Sequence, residues 1–198
     1  MKTIQYFFFM VLATVLMAAD CSNKDSEFYN DVFVKAPNLI EIETQSNYSV
    51  NDILWLNSDS FSRYLVQPNT AKMLDSFKTT SGALSYNFSY VIEKQVTGDE
   101  WAAVVLGSNL INQKGNSTED EDFVNGTCVY NETTKNYDFR SGIKLTQTGV
   151  YRLSFGYNST STTGVELRSN STNNNLYLNI DSNVAGLNGD GYYLFSVN

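Results

Sequence analysis

Histidine is absent from the 198-residue chain. Its absence removes the commonest general base, the usual partner of a serine nucleophile and the most frequent zinc ligand. Neither a Gly-x-Ser-x-Gly elbow nor a phosphate-cradling glycine loop is present to suggest another chemistry. The sequence therefore assigns no catalytic residue, no metal ligand and no cofactor. Cysteine is almost as scarce: Cys21 and Cys128 allow one bridge at most, not a disulfide framework. Basic residues number 13 against 21 acidic ones, for a formal charge of −8, and they form no stripe. A phosphate backbone would be repelled, so nucleic acid is not an expected partner. Proline occurs only twice, and no apolar run beyond the first 20 residues reaches the length of about 20 that a membrane helix needs.

Aromatic residues are plentiful instead. Thirteen Tyr and twelve Phe in a chain that is 42% hydrophobic supply one well-buried core and suit pleated, half-buried surfaces better than helices. The acidity is lopsided, since residues 21–130 carry 15 acids and 7 bases while 131–198 carry five of each. Short apolar stretches separated by Asn, Ser, Thr and Gly have the spacing of an all-β fold. The expectation is a single β-sandwich of about nine strands with one short helical connection at 70–78, where Met73, Leu74 and Phe77 fall at helical spacing.

The clearest strand is 84–92, in which Leu84, Tyr86, Phe88, Tyr90 and Ile92 alternate with small or polar residues. Across the turn at 97–100 it should pair as a hairpin with 101–106. The polar, acidic stretch 112–122 reads as a long surface loop. Trp55 and Trp101 lie inside apolar strands and read as core, with a sugar-stacking platform as the other use of such rings. Cys128, in Thr127-Cys128-Val129-Tyr130, reads as a buried small hydrophobe. The run Glu119-Asp120-Glu121-Asp122 reads as solvated rather than as a Ca²⁺ site, because no turn fixes its oxygens.

The segment Gln147-Thr-Gly149-Val-Tyr151-Arg-Leu153-Ser-Phe155 resembles the corner of immunoglobulin-like sandwiches, with Gln147 and Leu153 in place of its Asp and Cys. That resemblance implies a structural tyrosine whose hydroxyl bonds back to the backbone. Jelly-roll sandwiches begin strands similarly, so both topologies stay open.

Lys2 and the 14-residue stretch from Tyr6 to Ala19, apolar except for Thr14, have signal-peptide length and flanks. Ala18-Ala19-Asp20-Cys21, followed by Ser22-Asn23-Lys24-Asp25-Ser26-Glu27, resembles the lipobox and acidic tether of small outer-membrane lipoproteins of the Bacteroidota. The resemblance implies cleavage before Cys21, acylation of that residue and attachment to a membrane through its chains; several chains together make such anchoring stable. The expected organisation is a signal peptide at 1–20, a flexible tether at 21–36 and a sandwich domain at 37–198.

The function expected on this basis is that of a lipid-anchored, non-catalytic surface or accessory module at the outer membrane, binding protein or glycan through loops. Two alternatives stand beside it. One is a secreted β-fold hydrolase using paired carboxylates. The other is a eukaryotic secreted glycoprotein, in which the seven Asn-x-Ser/Thr triplets at Asn47, Asn87, Asn116, Asn125, Asn131, Asn158 and Asn170 would carry sugar.

Overall fold

A computed structural model describes residues 30–68, 72–157, 164–170 and 176–198. The fold is all-β. The described residues form sixteen strands in three sheets, not nine, because many pairings are only three to five residues long and carry no apolar signature.

The strands are β1 (Asn30–Lys35), β2 (Glu41–Glu43), β3 (Ile53–Asn57), β4 (Tyr64–Val66), β5 (Met73–Asp75), β6 (Ser85–Thr97), β7 (Glu100–Ala103), β8 (Leu110–Lys114) and β9 (Asn116–Glu119). They continue with β10 (Val124–Asn131), β11 (Asn136–Asp138), β12 (Arg140–Lys144), β13 (Gly149–Ser154), β14 (Gly164–Ser169), β15 (Leu176–Asn183) and β16 (Tyr193–Val197). One helix of four residues, α1 (Ser76–Thr79), follows β5.

The thirteen-residue β6 is the spine of the largest sheet. Its first half pairs with β10 and β14, and its second half with β13 and the returning hairpin strand β7. The path β1-β15-β14-β6-β10-β11 is extended by β13 with β16, by β7 and by β9, giving ten strands. A separate sheet has the order β2-β3-β12-β8, and β4 pairs with β5 alone.

Alternation explains the core. Tyr86, Phe88, Tyr90 and Ile92 of β6 point to the buried side, as do Leu54 and Leu56 of β3 and Ile143 of β12, and all join one apolar cluster. Phe139, just before β12, meets Phe88 edge-on at 5.0 Å. Phe61, Tyr86 and Tyr137 form a triangle of rings with centroids 4.7 to 5.1 Å apart. The Tyr137 hydroxyl donates to the Ala83 carbonyl at 3.0 Å, which satisfies a polar group inside that cluster. Tyr151 makes the corner contact its sequence context implied, its hydroxyl donating to the Gln147 carbonyl at 2.8 Å.

Several expectations are corrected. The helical reading of 70–78 holds only at its end: Met73–Asp75 is a strand, and the helix is α1 from Ser76, capped by Asp75, whose carboxylate accepts the Lys78 amide at 3.0 Å while Arg63 grips the same group. Residues 69–71, including Thr70, lie outside the described residues. The stretch 112–122 is not one loop, since it holds the end of β8 and all of β9. Asn112 links β8 to β9, which belong to different sheets, accepting the Ser117 amide at 2.9 Å and donating to the Ser117 carbonyl at 3.0 Å. Gly115 lies between the two strands at φ 63°, where a Cβ would lie 2.4 Å from the Thr127 carbonyl oxygen. Within the range expected to be tether, Asn30–Lys35 is strand β1, which adds to β15 at the sheet edge.

Candidate functional site

Strand parity puts a second set of side chains on the face of β6 opposite the core. Register pairs Glu93 with Arg152 of β13 on one side and with Ala103 of β7 on the other. Arg152 clasps Glu93 with two bonds, Nε to Oε2 at 2.6 Å and Nη2 to Oε1 at 3.1 Å. Its guanidinium also stacks on Trp101 at 4.5 Å and on Tyr192 at 4.3 Å. The bonds that Arg152 donates to Glu93 hold its guanidinium protonated more firmly than usual, against the opposing effect of partial burial. The pair thus fixes two aromatic rings on an outward face.

Beside this cluster lies a cleft of about 550 Å³, walled by Glu93, Asp122, Ser154, Tyr157, Asp190 and Tyr192 among others. Local turns set three of these. Asn188 Oδ1 accepts the amides of Asp190 at 3.0 Å and Tyr192 at 2.9 Å, and the Gly191 amide donates to the Asn188 carbonyl, which closes a tight turn. The Asp120 amide donates to the Phe123 carbonyl at 2.8 Å, closing the turn that carries Asp122. Phe123 stacks on Tyr157 with centroids 4.1 Å apart and planes 20° from parallel. Tyr157 nonetheless stays 49% exposed, so a ring supported by Phe123 still meets solvent. Carboxylates that accept hydroxyl protons, together with ring faces that cover C–H surface, suit a polyhydroxylated ligand better than an anionic one.

The residues singled out from sequence fall as follows. Cys21 and Asn158 lie outside the described residues. Cys128 is a free, fully buried thiol, and burial pushes its pKa far up, as expected of a small core residue. Trp55 and Trp101 are not core. Both are half-buried beneath arginines: Trp55 alternates with the inward Leu54 and Leu56 of β3, and Trp101, paired in register with Gln95, shares the Glu93 face of β6. Trp55 lies flat over Gly142 with Arg140 stacked 4.1 Å above it, so both its faces are covered.

Glu119 is occupied, its oxygens accepting the amides of Leu106 at 2.5 Å and Gly107 at 2.7 Å. Among the described residues no three His, Cys, Asp or Glu side chains gather to hold a metal. The spacing Ser141-x-x-Lys144 occurs in β12, where a separation of three points side chains to opposite faces. No described helix is long and apolar enough to cross a membrane.

Arg152, Tyr157 and Tyr192 were not singled out from sequence. An outward Arg between Tyr151 and Leu153 is a visible irregularity, but its partner Glu93 is 59 residues away and only the register of β6 with β13 joins them. No family model matches the chain, and neither any curated protein nor any solved structure is similar to it.

Proposed function

We propose that the chain is an exported, lipid-anchored, non-catalytic surface module, a β-sandwich that binds neutral or amine-bearing glycans in the cleft beside Arg152. The observation that carries the binding reading is the pairing of the exposed Tyr157 ring with the Glu93, Asp122 and Asp190 carboxylates around 550 Å³ of open volume. Such a volume falls within the range of roughly 300–1,000 Å³ typical of small-ligand sites. Asp122 and Asp190, beside a Glu93 already neutralised by Arg152 and on a chain of net charge −8, disfavour uronic or sulfated sugars. Anchoring rests on the leader at 1–20 and on Cys21, and places the module at the outer membrane surface.

A glycan array probed with the full chain tests the binding reading. Neutral or amino-sugar oligosaccharides should be retained, and Tyr157→Ala should abolish retention. Retention of sulfated glycans alone, or of none, would overturn it. Intact mass of the exported protein tests the anchor separately: acyl chains on Cys21 are expected, and an unmodified sulfur contradicts them.

A further inference from the structure

A second cleft, of about 510 Å³, opens on the core side of β6 and shares only Ala103 with the lining of the glycan site. Its floor is aliphatic: Ile92 of β6, Leu106, and Ile143 and Leu145 in and just after β12. Its rim carries two apolar side chains that the fold leaves in water, Val96 at 61% and Val105 at 83% exposure. Two large apolar residues left exposed beside one concavity mark a surface suited to an apolar partner.

The charge is the reverse of the molecule as a whole. Among the described residues the cleft is lined by Lys94 and Lys144 and by no carboxylate, on a chain of net charge −8. Lys94 has the parity of Ile92 and so sits on the cleft side of β6, whereas Lys144 follows the inward Ile143. The Lys94 ammonium donates to Gln147 Oε1 at 2.8 Å and lies 5.8 Å from the Tyr151 ring, and no carboxylate among the described residues forms an ion pair with it. A carboxylate would replace that amide oxygen with a charge-assisted bond.

We infer that this cleft binds a monomeric amphiphile with one anionic head and an aliphatic tail, such as an alkyl carboxylate. The head meets Lys94 and the tail covers Val96, Val105 and the aliphatic floor. Tyr151 is the one aromatic residue in the lining, and the remaining apolar side chains are aliphatic, which favours a flexible chain over a flat ring system; Gln95, Asn109, Thr146 and Gln147 add polar groups beside the two lysines.

Calorimetry on the full-length chain with decanoate and with decyltrimethylammonium, both well below micelle formation, tests this. Saturable binding of decanoate, at least tenfold tighter than that of the cation, is expected. Lys94→Met should weaken decanoate binding tenfold or more. Val105→Asp, at a position exposed enough to accept a charge without disturbing the core, should do the same, and Tyr157→Ala should leave it unchanged. Equal binding of both amphiphiles, or indifference to both substitutions, would overturn the inference. Co-sedimentation with phosphatidylglycerol vesicles in the absence of decanoate binding would overturn it too, because the surface would then recognise a bilayer.

Discussion

Replacing Gly142 by alanine sets two opposing effects against each other. In an ordinary strand this change removes unfolded-state freedom and stabilises by about 0.4–1 kcal/mol. Gly142 has no positive φ, so its backbone offers no objection. The neighbours do. A Cβ there would lie 2.5 Å from Ile53 Cγ2 and 2.7 Å from Trp55 Cε3 and Cζ3. Trp55 cannot yield upward, because Arg140 rests on its other face and is itself tied to Glu43 by bonds of 2.8 Å. Overpacking of this kind costs about 1–3 kcal/mol, and displacing the half-exposed stack adds about 0.5–1 kcal/mol. The net expectation is a loss of about 2 kcal/mol, or roughly 1 M in urea midpoint at an m-value near 2 kcal/mol/M. Gly189, with nothing within 4 Å of its would-be Cβ and no positive φ, is the control, and alanine there should be neutral or mildly stabilising. Urea titrations followed by circular dichroism compare the three proteins. Equal midpoints for the Gly142 and Gly189 variants would refute the close-approach argument.

Tyr137→Phe keeps every ring contact but strands the buried Ala83 carbonyl, and should lower stability by about 1–2 kcal/mol in a thermal melt. In a Cys21→Ser chain, Cys128 should ignore an aromatic disulfide reagent at pH 8 and react fully once urea unfolds the protein, because burial both shields the thiol and raises its pKa. Acid should destabilise the fold. The Arg140 hydrogen bond lowers the Glu43 pKa against the effect of burial; burial pushes Asp75 up, but bonds from Arg63 and the Lys78 amide outweigh it. The stability these two carboxylates contribute is present at neutral pH and is lost as pH falls through their depressed folded values, below about pH 4. Glu43→Gln should flatten that acid limb in urea midpoints measured from pH 6 to 3.

The parts of the fold that were legible are those where burial is one-sided. Tyr86, Phe88, Tyr90 and Ile92 announce β6 by period alone, and the Gly149-x-Tyr151 start announces the corner bond to Gln147. Edge pairings were not legible. Asn116–Glu119 and Asn30–Lys35 bury little, so their strand character comes from backbone bonds to β10 and β15. The tryptophans misled for a related reason: an apolar run such as Ile53–Asn57 does not say which face is inward, and Trp55 lies outward on a glycine of the neighbouring strand. The cleft was hidden more deeply, since Glu93, Asp122, Tyr157 and Asp190 meet only after four separate strand and turn segments are in register.

Trp101 offers the most direct test of glycan recognition, because it stacks on the arginine that joins Glu93 and Tyr192 of the cleft wall, while Trp55 reports from the other sheet. In a Trp55→Phe chain, a neutral or amino-sugar oligosaccharide should change Trp101 emission saturably, and Tyr157→Ala should remove the response. Emission that stays flat across such a panel at millimolar concentration, or a response that survives Tyr157→Ala, would contradict the account.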